Sequence, residues 1–316
     1  MDNQATIAII GGGSIGVAFA VVFARAGATV RIQEPALERR DAVLPDITRR
    51  LQTLDNHGLL EDNVATITQR IQIVAELAEA VADADLVQEC IPENLEFKQQ
   101  LFTKLADLTE DTCVIASSTS FIPSSQSSAD TGVADRTLVA HPGNPPYAIP
   151  VIELVPNPQT RNDIIQRAEQ LYTAAGMSPI RVQQEIEGFV FNRLQGALLR
   201  EAYALVRDGI ASVEDIDTVV RDGLGRRWAF MGPFETVDLN TRGGIANHAK
   251  NMGPSYHRMG LERGDTSVWT TDLVAEVVAQ RRQQLDLSDW EDRVSWRDEQ
   301  LLARIAQQHA GTKESL

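Results

Sequence analysis

Two groups of residues in this sequence have the types and spacing to do chemistry. The first is Gly11-Gly12-Gly13-Ser14-Ile15-Gly16, a G-x-G-x-x-G turn after the apolar run 6–10 and at the mouth of an amphipathic stretch. Gly11 permits the tight turn, Gly13 lets a pyrophosphate approach the backbone, and Gly16 lets helix and strand pack closely. The unpaired N–H groups at the helix start, those of Ser14 and Ile15 among them, suit phosphate oxygens. Glu34 ends the next apolar run, about 20 residues on, where an acid accepts hydrogen bonds from both ribose hydroxyls and repels a 2′-phosphate. The expected cofactor is therefore NAD rather than NADP. The structural alternative is a glycine cluster serving the turn alone plus a surface acid, and the strand–turn–helix context disfavours it. The overlapping Gly12-Gly13-Ser14-Ile15-Gly16 also fits the G-x-S-x-G pattern of a nucleophile elbow, but it lies inside the dinucleotide turn.

The second group sits at the carboxyl ends of later apolar runs, the edge at which open parallel sheets bind ligands. Glu93, the series Ser117-Ser118-Thr119-Ser120 and His141 each follow such a run, and Glu153 interrupts another. Oxidising a secondary alcohol requires removal of the hydroxyl proton, and a histidine suits that task. A carboxylate behind it fixes the tautomer and stabilises the imidazolium. Glu153 in an apolar strand costs desolvation energy unless paired, and His141 is a natural partner. Spacing alone favours a plainer reading, in which His141 caps a strand end and Glu153 pairs with an arginine elsewhere. His57, His248, His257 and His309 have no comparable setting and are expected at the surface.

Positioning these residues is the work of the elements between them. Strands are expected at 6–10, 29–33, 71–74, 86–90, 113–116, 138–140, 152–155 and 179–182, with helices over 15–26, 36–56 and 95–108. That alternation makes βαβ units, hence an α/β fold with a Rossmann-type doubly wound sheet. From Gly188 onward strand-like runs stop, and 189–207 reads as one amphipathic helix burying Leu194, Leu198, Leu199, Ala202 and Leu205. Residues 1–187 are expected to form the NAD-binding domain and 188–316 an all-α C-terminal domain for substrate and dimerisation. The polar tail from about Gln307 is expected to fray.

Composition narrows the partners. The chain of 316 residues suits two domains. A net charge of −15, with Lys98, Lys104, Lys250 and Lys313 the only lysines, argues against nucleic-acid binding through a basic surface and against a polylysine membrane patch. Cys90 and Cys113 are too few for a disulfide scaffold or a four-cysteine zinc site, and no metal is expected. The start, Met-Asp-Asn-Gln, does not read as a signal peptide, and no apolar window is long enough to span a membrane. A cytoplasmic protein acting on a small molecule is the expectation.

Taken together, the motifs resemble the L-3-hydroxyacyl-CoA dehydrogenase superfamily. They are the glycine turn, Ala116-Ser117-Ser118-Thr119-Ser120, His141-Pro142-x-Asn144-Pro145, Glu153, Gly188-Phe189-x-x-Asn192-Arg193 and Gly232-Pro233-Phe234-Glu235, in the family's order. Leu154-Val155-Pro156, Gly223-Leu224-Gly225-x-Arg227-Trp228-Ala229-Phe230 and Trp296-Arg297-Asp298-Glu299 are most similar to the L-gulonate 3-dehydrogenase and lambda-crystallin branch. Residues 227–232 are also similar to bacterial L-carnitine dehydrogenases. The resemblance implies His141 as general base oriented by Glu153. It implies Ser120 and Asn192 on the substrate oxygen, with Ser120, Glu93 and Lys98 on the nicotinamide–ribose side of the cofactor. It also implies a homodimer formed through the C-terminal domain. Spacing alone does not distinguish Ser120 from Ser117 or Ser118.

The expected reaction is oxidation of the 3-hydroxyl of a short L-3-hydroxy acid, L-gulonate-like, to the 3-keto acid with NAD. L-3-Hydroxyacyl-CoA and L-carnitine are the alternative substrates. Arg39, Arg40, Arg49 and Arg50 alternate with Glu38, Asp41 and Asp46, which reads as a solvated helix face rather than a site for a large polyanion. Arg227, with Arg226 as second choice, is placed beside Trp228 to clamp a small carboxylate, or equally to make a structural salt bridge. A non-catalytic, crystallin-like NAD-binding protein is the rival of a different class. The intact set Ser120, His141, Glu153 and Asn192 argues against it.

Overall fold

The computed structural model describes residues 5–242, 244–264, 270–272, 275, 278–279, 283, 286–289, 292, 295–296, 298–299, 301–303 and 305–307. The first part of the chain runs β1 (Thr6–Ile10), α1 (Ser14–Arg25), β2 (Thr29–Gln33), α2 (Leu37–Asn56), α3 (Val64–Thr68), β3 (Ile71–Val74), α4 (Leu77–Val81), β4 (Leu86–Glu89) and α5 (Leu95–Leu108). It continues with β5 (Val114–Ser117), α6 (Ser124–Ser127), β6 (Thr137–Pro142), β7 (Val151–Pro156), α7 (Asn162–Ala174), β8 (Ser178–Arg181) and α8 (Phe191–Arg207).

Side chains of a strand alternate between faces, so nearly continuous apolar runs bury both sides of the sheet. Ile7, Ile9, Leu86, Val114 and Ala116 share one core with α1, α2 and α7. Their neighbours Ala8, Ile10, Val87 and Ile115 join the other, with α4 and α5. Strand order is β3-β2-β1-β4-β5-β6-β7-β8, parallel throughout except for the antiparallel β6–β7 pair. The order reverses between β1 and β4, and the glycine turn leaves the carboxyl end of β1 at that switch point.

The expected strands are all present, several with shifted ends. β6 and β7 outgrow the expected 138–140 and 152–155 because they pair with each other, which brings His141, Pro142 and Pro156 into the ladder. Described residues up to Arg193 form one compact unit with those of 294–316, and 194–293 form a second, so the division falls inside α8. Leu302 is buried in the first unit's core. The tail beyond Gln307 lies outside the described residues.

The second unit is helical among its described residues: α9 (Val213–Thr218), a π-helical turn (Val219–Leu224), α10 (Gly225–Trp228), α11 (Pro233–Asn240) and α12 (Gly244–Glu262). One expectation fails here. Leu194, Leu198 and Leu199 are not buried but 63%, 37% and 37% exposed. An apolar stripe needs a cover to leave water, and within the second unit no described residue supplies one.

Candidate active site

The antiparallel register sets His141 directly opposite Glu153. Facing residues of such a ladder have neighbouring side chains, and here His141 Nδ1 lies 2.7 Å from Glu153 Oε2. Both are buried, at 5% and 1% exposure. The second carboxylate oxygen accepts the N–H groups of Val190 at 2.7 Å and Phe191 at 2.9 Å. Two left-handed residues make that approach possible, Gly188 (φ 76°) and Phe189 (φ 47°). For a non-glycine residue that conformation costs about 1–2 kcal/mol, which the surrounding contacts must over-determine. Phe189 and Phe191 in turn pack on the imidazole, with ring centroids 5.5 and 6.5 Å away. Burial pushes the Glu153 carboxyl up, but hydrogen bonds from His141, Phe191 and Val190 outweigh it and hold the group below its ordinary value.

Asn192 follows this segment as the second residue of α8, half-buried. Ser120 lies three residues past the end of β5, which is parallel to β6, so Ser120 and His141 share one edge of the sheet. Its hydroxyl makes no hydrogen bond among the described residues. The turn that carries it is held from both sides. Thr119 Oγ1 donates to Glu93 and accepts the N–H groups of Phe121 at 3.2 Å and Ile122 at 2.9 Å. Glu93 also accepts the Phe121 N–H at 3.4 Å.

Lys98 is enclosed rather than open to a ligand, at 1% exposure. Its ammonium donates to both oxygens of Glu89, at 2.8 and 2.7 Å, and lies 3.5 Å from Glu93. Glu89 also accepts the Ile91 N–H at 2.8 Å and the Ser117 hydroxyl. The sequence reading passed over Glu89, which looks like an ordinary strand residue; the signal available was a carboxylate ending an apolar run nine residues before a lysine.

At the glycine turn each residue meets a different constraint. Gly11 has φ 107°, and a Cβ on it would come 2.8 Å from the Cys90 carbonyl oxygen. A Cβ on Gly16 would overlap the carbonyl of Gly11, whereas one on Gly13 would meet nothing within 4 Å. Gly12, given no role from the sequence, is crowded: its Cβ would stand 2.7 Å from Val43, and its N–H donates to Glu34 at 3.2 Å. Ala36 N–H donates to the other Glu34 oxygen at 3.1 Å, so the buried carboxylate is fixed at the end of β2. No side chain caps α1, and Gly13 and Ser14 are exposed at its start. An uncapped helix start with open space at Gly13 and a fixed acid on the next strand fits the pyrophosphate and ribose of NAD.

The remaining candidates are placed elsewhere. Arg227 is in the second unit, on α10, and makes no ion pair among the described residues. His57 and His248 are half-buried rather than superficial, bonded to the Thr53 carbonyl and Thr241 hydroxyl, whereas His257 is exposed. His309 lies outside the described residues. Among the described residues no cluster could hold a metal ion, and no helix is long and apolar enough to cross a membrane. Burial pushes the thiols of Cys90 and Cys113 up to about 12, which leaves them protonated.

Known proteins place the chain in a family. Residues 6–186 match the family model for the 3-hydroxyacyl-CoA dehydrogenase NAD-binding domain, and 188–284 that for the family's C-terminal domain. A lambda-crystallin of Oryctolagus cuniculus is 39% identical over 75% of each chain. An L-carnitine dehydrogenase of Streptomyces coelicolor is 38% identical over 80% of this chain and 79% of its own. Among solved structures, the NAD-dependent 5-formyl-3-hydroxy-2-methylpyridine 4-carboxylic acid 5-dehydrogenase aligns with a TM-score of 0.75 at 26% identity, covering 96% of this chain and 99% of that one. An NAD-binding sheet and a helical second part matched by both family models leave one assignment: the chain belongs to the 3-hydroxyacyl-CoA dehydrogenase family of NAD-dependent oxidoreductases.

Proposed function

We propose that this protein oxidises the 3-hydroxyl of a short, L-gulonate-like L-3-hydroxy acid to the 3-keto acid, with His141 as base. The observation that carries the proposal is the 2.7 Å His141–Glu153 contact, buried at the edge of the sheet. A carboxylate only accepts, so it keeps the imidazole proton on Nδ1 and leaves Nε2 bare to take the substrate's hydroxyl proton. Ser120 and Asn192 hold the oxygen that becomes the carbonyl. Glu34 selects NAD over NADP, residues 11–16 hold its pyrophosphate, and Glu93, supported by Lys98, lines the nicotinamide–ribose side. NAD supplies the hydride acceptor. One carbon–hydrogen bond and one oxygen–hydrogen bond break, the carbonyl π bond forms, and the proton leaves through His141.

Arg227 clamps the substrate carboxylate in this reading. The similarity to lambda-crystallins supports a small acid, and the L-carnitine dehydrogenase relative supports a second reading in which the substrate is L-carnitine. A cytoplasmic homodimer joined by the exposed apolar faces of the second unit completes the proposal. NADH formation measured in parallel on L-gulonate, L-carnitine, L-3-hydroxybutyrate and L-3-hydroxybutyryl-CoA tests it. Highest kcat/KM on L-gulonate, with NAD far better than NADP, is the expected result. Preference for the thioester would replace the substrate assignment, and no turnover of any would favour the crystallin-like alternative.

A further inference from the structure

The α2 arginines do not all belong to a solvated face. Arg49 is 69% exposed and pairs with Asp46, as a surface residue does. Arg50 is different: its side chain is only 12% exposed and reaches across to the start of α1. Nε and Nη2 grip Asp46 at 3.2 and 3.0 Å, Nη2 donates to the Ser14 hydroxyl at 3.2 Å, and Nη1 donates to the Ser14 carbonyl at 3.3 Å. The Tyr147 ring, from the loop after His141, lies 5.9 Å from the guanidinium carbon. The guanidinium is thus locked by two flanking elements against the first residue of the uncapped helix.

That contact dictates what Ser14 does. A guanidinium has five N–H donors and no acceptor, so the Ser14 oxygen must accept from it. Its own hydrogen is then left to donate, at the exposed start of a helix whose free N–H groups suit an anion. Arg49 and Arg50 share the carboxylate of Asp46, and Asp298 is a further carboxylate at the Tyr147 hydroxyl, 3.4 Å away, so what the cluster brings to Ser14 is the Arg50 guanidinium itself rather than an excess of charge. Four of the five guanidinium donors are engaged, and one on Nη1 meets no partner among the described residues. We propose that Arg50 belongs to the pyrophosphate site: it turns the Ser14 hydroxyl into a phosphate donor and supplies the cation that the glycine turn lacks. This rests on reading residues 11–16 as the pyrophosphate turn.

Calorimetric titration of the full chain with ADP-ribose, which has the pyrophosphate, and NMR titration with adenosine, which lacks it, test the assignment. Arg50→Gln is expected to bind ADP-ribose about 10-fold more weakly, the worth of one charge-assisted hydrogen bond, with adenosine within about 2-fold of wild type. The dependence of ADP-ribose affinity on salt is expected to flatten in the same variant. Because Arg50 also ties α2 to α1, Ser14→Ala provides a second test that leaves the Asp46 grip in place, with a loss of about 3-fold expected on ADP-ribose alone. Unchanged ADP-ribose binding in both variants, or equal losses for both ligands, would overturn the role and leave Arg50 a structural staple. Gly13→Val separates the two readings: if it too leaves ADP-ribose binding intact, the turn itself is misassigned.

Discussion

At the scale of single residues, the His141–Glu153 pair combines a simple local cause with a demanding environment. Register makes the two neighbours, but the state of Glu153 is set by donors from three residues around it. Its carboxyl lies below the ordinary value of 4.5, so the ionised form is the one that folding stabilises. The contribution is complete above that ordinary value and is lost as pH falls through the lower, folded one. Glu153→Gln removes it. The stability gap between wild type and variant in urea denaturation is therefore expected to be full at pH about 7 and to shrink as pH drops below about 4.5. Turnover of the same variant at neutral pH should fall by roughly 100-fold or more, because an amide no longer dictates which imidazole nitrogen is bare. A gap independent of pH would mean that Glu153 is not held as the carboxylate. The pair was legible in the sequence only as a possibility. Glu153 stood out in an apolar strand, while the antiparallel return that sets it opposite His141 is a long-range event no local pattern encodes.

At the scale of elements, Glu89 fastens the parts that the candidate site needs. It joins the end of β4, the turn at Ile91, Lys98 of α5 and Ser117 of β5 through one carboxylate. Removing one partner of such a pair leaves an uncompensated buried charge. Glu89→Ala is expected to destabilise the protein by about 3–5 kcal/mol, read from denaturant midpoints, and the Glu89→Ala/Lys98→Met double variant to recover part of that loss. A single variant as stable as wild type would contradict the role. The strands themselves were readable because their apolar runs are short, bounded and separated by helices. The ends of β6 and β7 were not, since mutual pairing sets them. Glu89 was missed for a related reason: its partner lies on another element, and a buried ion pair looks like two ordinary surface residues in one dimension. Arg50 was misread likewise, because α2 seen alone shows only its intrahelical pairs.

At the scale of the whole molecule, a chain of net charge −15 binds a dinucleotide that is itself an anion. Local structure resolves that opposition. The uncapped start of α1 offers backbone N–H donors, and the proposed Arg50 contact adds a cation beside them, at one place on an otherwise acidic chain. The second unit leaves Leu194, Trp228, Phe230 and Phe234 exposed in the single chain, the faces on which the proposed homodimer rests. Everything proposed about function converges on hydride transfer assisted by one histidine. The most direct test is stopped-flow measurement of NADH formation by His141→Ala at saturating NAD, alongside the same variant's affinity for NAD. With His141 as the base, the transfer rate in the variant is expected to be lower by about 100- to 10,000-fold with NAD affinity unchanged. A wild-type rate in the variant would contradict it.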